Sequence, residues 1–423
     1  MSRYQYIMKS VFFRNVFTLM FGTSIAQLIP ILISPVLTRA YTPTEFGVFA
    51  TFTTLATIIG TIATGRYELA ITLPRNLTKA LSIVIFSFSI TIFVSLLWLF
   101  FFLYFRLEVA QSIKNELVAP WLTWVPIFAF FYAGYQIINY WHNRQARFKV
   151  LAISRVFQSI ITGTVQLLAG ILQFGIGGLV AGVVIGQMFS FIWLLAKAKQ
   201  DWSSLIGYVS MRRVLFQGRE YVNFPLIDGP TSLLNVFSSQ LPNILFAILF
   251  SPSYAGFYFL TQRVLQAPVT LISGAFLDVF KQKASEEFSR FGHAKNIYKK
   301  TFVALFSIST IPAIIGFIFL PVLFKFFFGK SWYEAGVFGQ ILIPAIYMRF
   351  VVSPLSFIIY IAQKQKWNLI CMILLCCGVT FSLLYGANAT DAVVGISASY
   401  VIYYIMHLMI SMKLAGFFTK KYR

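Results

Sequence analysis

Three arginines lie within long apolar stretches of the sequence: Arg66, Arg263 and Arg349. A charged side chain at the middle of a bilayer costs about 2.5 kcal/mol or more on insertion scales, so an arginine there usually faces water or a partner. Its planar guanidinium can hold a phosphate or a carboxylate through two parallel hydrogen bonds. We therefore predict a cationic, substrate-binding cavity lined by these arginines. The alternatives are that Arg66 reaches the headgroups, or that Arg349 pairs with an acid such as Asp228.

Three acids could complement these arginines as coupling or gate residues: Asp228, Glu68 and Asp278. Asp228 is the best placed, since it precedes a polar stripe on an apolar segment; a fixed salt bridge to Arg66 or Arg349 is an equally good interpretation of it. Arg66 and Glu68 are two positions apart and could not face each other on a helix. Each is therefore expected to find a partner on another span.

Polar residues recur at helical spacing within four of the apolar segments, which places each set on one helical face. We predict that these faces line a hydrated cavity, although hydrogen bonding between packed helices is the alternative. The candidate cavity-lining residues are Gln27, Ser34, Gln136, Asn139, Ser232, Asn235 and Ser353.

The composition identifies the elements that position these residues. The 423-residue chain is 58% hydrophobic and 11% charged, with a mean hydropathy of +0.78. Such a sequence is typical of a membrane protein. A net charge of +22 is compatible with a nucleic-acid partner, but the composition leaves no hydrated face for a duplex. We predict no nucleic-acid binding.

Twelve apolar runs have the length of about 20 residues that spans a bilayer. Most of the 34 basic residues fall in alternate connections, which predicts that both termini are cytoplasmic. We predict an all-α membrane protein with residues 1–200 and 221–423 as two six-helix bundles and residues 201–220 as a cytoplasmic linker. The runs begin near Val16, Gly47, Lys79, Pro120, Val150, Gly178, Phe224, Gly256, Thr301, Val337, Asn368 and Asp391.

A repeated motif supports two related halves. Thr42-Pro43 precedes span 2, and Ser251-Pro252 precedes span 8, 209 residues later, each with a glycine four residues after the proline. Because six spans separate the copies, the halves would share one orientation, as in transporters with parallel repeats. The alternative is that the motif is only helix-start chemistry.

Several kinds of site are not supported by the sequence. The three cysteines, Cys371, Cys376 and Cys377, lie in one apolar run, which indicates neither a disulfide framework nor a metal site. Gly329-Lys330-Ser331 lacks the first glycine of a phosphate-binding loop, so we predict no ATP binding. No catalytic constellation of serine, histidine and acid is present. We expect no cofactor and no enzymatic activity.

Three segments resemble a known family: Gly22 to Gln27, Pro35 to Gly47, and Gly65 to Ile71. They are similar to the amino-terminal signature of Wzx-type polysaccharide flippases, in the multidrug/oligosaccharidyl-lipid/polysaccharide exporter superfamily. Arg263 followed by Pro268 also resembles the R-x-x-x-x-P motif of lipid II flippases in that superfamily, in which the arginine lines the cationic cavity.

The resemblance implies transport of undecaprenyl-pyrophosphate-linked oligosaccharide repeat units, for O-antigen or capsule, across the bacterial inner membrane. It further implies membrane lipids, a polysaccharide polymerase and a chain-length regulator as partners. We expect two bundles that rock about a central cavity. The alternatives are a multidrug/cation antiporter of the same superfamily, which should have an acidic pocket, and a membrane-embedded polymerase or ligase, which should have a large outer loop.

Overall fold

The computed structural model describes residues 3–417, with side chains described for residues 18–237, 239–364 and 366–417. These residues form helices and no strands. The helices are α1 (Arg3–Ala40), α2 (Pro43–Ile62), α3 (Leu77–Ser112), α4 (Ala119–Leu122), α5 (Trp124–Arg144), α6 (Phe148–Ile171), α7 (Ile176–Leu205), α8 (Met211–Glu220), α9 (Gly229–Leu249), α10 (Pro252–Pro268), α11 (Gly274–Phe291), α12 (Lys295–Phe328), α13 (Tyr333–Leu355), α14 (Ile358–Ile361), α15 (Gln365–Tyr385) and α16 (Ala389–Leu414).

The number of membrane-spanning segments agrees with the sequence prediction. Within the described residues, 10 helical segments are long and apolar enough to cross a membrane. Two bent pairs raise this number to 12: Glu116–Leu122 with Trp124–Arg144, bent by 53°, and Phe224–Phe237 with Ser239–Leu249, bent by 47°. The predicted all-α architecture of up to twelve spans is therefore confirmed.

The chain forms two compact units, the first ending at Ile248 and the second beginning at Leu249. Helix α9 therefore groups with the first unit, whereas the sequence analysis assigned residues 221–423 to the second bundle. In the first unit, α6 packs against α1 and α7, and α5 packs against α2, α3 and α7. In the second unit, α13 packs against α10, α12 and α16.

Both copies of the repeated Thr/Ser-Pro motif begin a helix. At the start of α2, the Glu45 backbone N–H donates to the Thr42 hydroxyl at 3.3 Å, and the Thr42 N–H donates to the Glu45 carboxylate at 2.7 Å. This reciprocal arrangement satisfies two backbone donors that a helix start leaves open. Pro252 starts α10 after Ser251, but the Ser251 side chain makes no capping bond. The motif therefore has a local structural role wherever it occurs.

Small residues allow α6 and α7 to approach closely, as the spacing of Gly178, Gly182 and Gly186 predicts. A Cβ atom at Gly186 would collide with the Thr162 hydroxyl and lie 3.0 Å from the Gln158 carbonyl oxygen. At Gly182 it would collide with the Gln166 side chain. Backbone contact, rather than a ligand, thus explains this glycine stripe.

Gly186→Ala is expected to destabilise the protein, because overpacking typically costs about 1–3 kcal/mol. The midpoint of thermal unfolding in detergent should fall by several degrees. Gly274→Ala is the matched control, since Gly274 is also helical and a Cβ there meets no atom within 4 Å. Equal unfolding midpoints for the two variants would contradict the close packing of α6 and α7.

Candidate functional site

Arg66 lies in a sharp turn after α2 rather than within a span. Helix α2 ends at Ile62, and Gly65 and Arg66 both adopt left-handed backbone conformations, with φ of 58° and 62°. Left-handed residues interrupt a right-handed helix. A 3₁₀ helix, Tyr67–Thr72, then leads toward α3. The prediction that Arg66 lies inside a membrane span is therefore wrong.

This turn brings Arg66 and Glu68 together. Arg66 Nη1 lies 3.0 Å from Glu68 Oε1, and Arg66 Nε lies 2.9 Å from Asp228 Oδ2. The expectation that Arg66 and Glu68 could not face each other is wrong, because it assumed a continuous α-helix and the turn removes that restriction. The interpretation of Asp228 as a partner of Arg66 is confirmed.

The three side chains differ in their access to solvent. Glu68 is 2% exposed, Arg66 21% and Asp228 40%. Burial raises the pKa of the Glu68 carboxyl, and the adjacent Arg66 only partly offsets this rise. Burial alone would lower the pKa of Arg66, but Glu68 and Asp228 together raise it. The Arg66 guanidinium is therefore a permanent cation. The Glu68 carboxyl, by contrast, is protonated more readily than a carboxyl in water.

A cavity of about 230 Å³ opens beside this ionic cluster. It combines residues from the predicted polar faces of α5 and α9, Gln136 with Ser232 and Asn235. Ser232 donates to Asp228 Oδ2 at 3.3 Å, which connects the α9 stripe to the ionic cluster. The cavity lining is Gly60, Thr61, Thr64, Arg66, Glu68, Tyr132, Gln136, Ser232, Asn235 and Val236.

Other predicted residues of the first unit lie outside this lining. Asn139 is partly buried, and its Oδ1 atom has no partner among the described residues. Gln27 is exposed on α1. Ser34 is fully buried, and its hydroxyl donates to the Pro30 carbonyl of the same helix at 2.6 Å.

Two functional candidates escaped the sequence analysis. Arg155 lies within the candidate span Phe148–Ile171 and donates to the Thr23 hydroxyl at 2.6 Å. Its position seven residues after the start of the span was the sequence signal that could have identified it as an arginine within a span. Tyr140 on α5 interacts electrostatically with Arg66, Glu68 and Asp228, and its position four residues after Gln136 was the available signal.

The second unit holds the other two predicted arginines, both partly buried. Arg349 on α13 interacts electrostatically with Tyr258, Tyr400, Tyr403 and Tyr404. The ion pairs of the described residues do not include it.

Arg263 lies on α10 beside a polar ladder. In this ladder Gln266 donates to Gln262, and Gln262 donates to the Tyr258 hydroxyl at 2.9 Å. Ser353 is exposed on α13. Asp278 is exposed and lies 3.9 Å from Lys281 on the same helix.

The cavity makes a prediction about solvent access. In a protein whose three cysteines are replaced by serine, Asn235→Cys should react with a membrane-impermeant maleimide, because Asn235 is exposed and lines the cavity. Ala247→Cys is the matched control on α9, where Ala247 is only 3% exposed. Equal labelling of the two positions in native membranes would contradict a hydrated cavity on this face of α9.

The fold is shared with solved membrane transporters and flippases. The structure is similar to the lipid II flippase MurJ in an inward closed conformation, with a TM-score of 0.71, 12% sequence identity, and coverage of 95% of this chain and 90% of that chain. An inward-facing multidrug resistance MATE family transporter matches with a TM-score of 0.59, 12% identity and coverage of 94% of both chains. A eukaryotic MATE transporter matches with a TM-score of 0.55 and 16% identity, over 96% of this chain and 98% of that chain.

This chain belongs to the family described as polysaccharide biosynthesis protein, whose family model matches residues 36–336. None of the curated proteins compared with it matches significantly. The predicted resemblance to a polysaccharide-related family is confirmed, and the chain is a multi-pass membrane protein of a transporter fold.

Proposed function

We propose that the protein flips undecaprenyl-pyrophosphate-linked oligosaccharide repeat units across the bacterial inner membrane by alternating access, for O-antigen or capsular polysaccharide. The observation that carries this proposal is Arg66, a cation that lines a polar cavity. The membership of a polysaccharide biosynthesis family and the similarity to a lipid II flippase support a lipid-linked glycan as substrate.

The chemistry of such a substrate accounts for the residues of the cavity. A pyrophosphate and several sugars cannot cross hydrocarbon uncovered, because each unpaired polar group costs several kcal/mol, roughly 2–7 for a neutral group. Arg66 would bind the pyrophosphate bidentately. Gln136, Ser232 and Asn235 would hydrogen-bond sugar hydroxyls, while the lipid tail remains in the bilayer.

Substrate binding at Arg66 requires an exchange of anions. Two carboxylates already bind the Arg66 guanidinium, that of Glu68 at Nη1 and that of Asp228 at Nε. Asp228 is the more exposed and is the last residue of a π-helical turn, Phe224–Asp228, at the start of its span. Asp228 is therefore the partner that leaves when the pyrophosphate arrives. Protonation of either carboxyl would weaken its hold on Arg66, which provides a route for proton coupling.

In the second unit, Arg263 and Arg349 are two further candidates for phosphate contact. The tyrosine hydroxyls around Arg349 and the glutamine ladder beside Arg263 are hydrogen-bonding groups suited to sugars. Asp278 pairs with Lys281 at the surface of its helix, which makes it a weaker coupling candidate than Asp228 or Glu68.

A multidrug/cation antiporter is the second candidate. Two acids around one arginine give the cluster a net negative charge when both are ionised, which favours a cation. The similarity to MATE transporters points in the same direction. The flippase remains the better proposal, because the chain belongs to a polysaccharide biosynthesis family.

Deletion of the gene in its host tests the proposed function. Loss of a flippase should remove the surface polysaccharide and cause lipid-linked repeat units to accumulate before the polymerase and chain-length regulator can use them. A plasmid copy should restore both. Loss of an antiporter should instead raise sensitivity to cationic drugs with normal surface polysaccharide, and that outcome would reject the flippase.

A further inference from the structure

Helix α8 exposes an apolar face outside the membrane-spanning segments. Met211 is 72% exposed, Leu215 54% and Phe216 60%. Met211 and Leu215 are four residues apart and therefore lie on one side of the helix. Val214, Gln217 and Gly218 form the buried side, where Gly218 lies against the ring of Phe86. The helix thus packs on its own unit through one side and leaves adjacent apolar side chains uncovered.

The neighbouring spans hold α8 close to a membrane surface. Two residues separate α8 from the end of the preceding span, Ile176–Tyr208. Three residues separate it from the following span, which starts at Phe224. At no more than about 3.6 Å per extended residue, these links allow α8 to move only a short distance from the bilayer.

Exposed arginines border the apolar face. Arg212, Arg213 and Arg219 are all exposed, and none belongs to an ion pair among the described residues. Arg213 donates to the Tyr208 carbonyl oxygen at 2.6 Å, but a carbonyl does not neutralise its charge. Exposed apolar side chains beside unpaired arginines are typical of helices that lie in a membrane interface and bind anionic headgroups.

We propose that α8 is an interfacial helix, with Met211 and Leu215 inserted at the headgroup boundary and Arg212, Arg213 and Arg219 bound to anionic phospholipids. The partner is the lipid surface itself, since the required chemistry is an apolar layer next to phosphate groups. This surface does not depend on the identity of the transported substrate.

The same helix is bonded to the turn that carries Arg66. The Tyr67 hydroxyl donates to the Gly218 carbonyl oxygen at 2.9 Å, and the rings of Tyr67 and Phe86 pack edge to face at 4.9 Å between centroids. Lipid binding by α8 therefore fixes a segment adjacent to the ionic cluster. Interfacial lipid would thus help position Arg66 as well as anchor the protein.

Spin labels test the location of α8 in the full-length protein. Leu215→Cys and Glu220→Cys, in a background with the three native cysteines replaced by serine, are labelled and reconstituted into vesicles of phosphatidylcholine and phosphatidylglycerol. The Leu215 label should be more accessible to oxygen than to a water-soluble nickel complex, and the Glu220 label should show the reverse. Equal access of the nickel complex to the two positions would overturn the proposal. A Leu215 label that neither reagent reaches would also overturn it, because it would show that protein, not lipid, covers this side of α8.

A separate experiment tests the role of the arginine charges by measuring how much anionic lipid the purified protein retains. The triple variant Arg212→Gln, Arg213→Gln and Arg219→Gln should retain several-fold less phosphatidylglycerol on purification in detergent. The control removes two exposed basic residues elsewhere, Arg106→Gln with Lys114→Gln, and should retain as much as the wild type. Equal retention by the triple variant and the control would show that the arginines of α8 do not bind anionic lipid.

Discussion

Replacement of Arg66 by alanine is expected to reduce glycan transport by about 10- to 100-fold, because one hydrogen bond to a charged group contributes about 1.5–3 kcal/mol. Arg66 lines the cavity and presents a bidentate fork, so its removal takes away the main contact for a pyrophosphate. Arg66→Lys should recover only part of the activity, since an ammonium lacks the planar fork. The rate of flipping by the purified variant in proteoliposomes provides the measurement.

The Arg66→Ala variant leaves Glu68 buried without its cation, which can lower the stability of the fold. The double variant Arg66→Ala with Glu68→Gln removes that buried charge and should be as abundant as the wild type while showing the same reduction in transport. Arg106→Ala is the matched control, since Arg106 is exposed on α3. Wild-type transport by a well-folded double variant would exclude Arg66 from the substrate site.

The Asp228→Asn variant is expected to fold normally but to lose the part of the pH dependence of transport that Asp228 contributes. Asp228 is only one of two carboxylates on Arg66, and Glu68 remains 3.0 Å from the guanidinium. The substitution therefore does not strand the arginine. Asparagine still accepts a hydrogen bond but does not ionise, so the release of residue 228 from Arg66 would no longer respond to pH. Transport measured across a pH series in proteoliposomes checks this.

Protein abundance separates the two roles of Asp228. If the Asp228–Arg66 pair is purely structural, Asp228→Asn should lower the amount of folded protein and leave the pH profile of the remainder unchanged. Asp278→Asn is the control, because Asp278 makes only an exposed contact with Lys281 on its own helix. A pH profile of Asp228→Asn that matches the wild type would reject Asp228 as the coupling residue.

Elements that depend on local sequence were predictable. Apolar run length predicted the membrane spans, and polar spacing on α5 and α9 identified Gln136, Ser232 and Asn235, which line one cavity. These features follow from helical geometry and bilayer thickness, both of which are fixed.

The ionic cluster was less predictable because it depends on a break in a helix and on a distant contact. Helical periodicity placed Arg66 and Glu68 on different faces, but the left-handed Gly65 and Arg66 end that periodicity. Gly65 alone hinted at this turn. The Arg66–Asp228 pair joins residues 162 positions apart, and the sequence left Arg66 and Arg349 as equal partners for Asp228. Only the packing of α9 in the first unit selects between them.

Reconstituted transport of a defined substrate tests the central proposal most directly. Proteoliposomes would be loaded with undecaprenyl-pyrophosphate carrying a fluorescent oligosaccharide, and exposure of the sugar on the opposite face would be followed with a membrane-impermeant quencher. We predict rapid flipping by the wild-type protein, loss of flipping in the Arg66→Ala, Glu68→Gln double variant, and no antiport of a cationic dye. Dye antiport by the wild-type protein without movement of the glycolipid would contradict the proposed function.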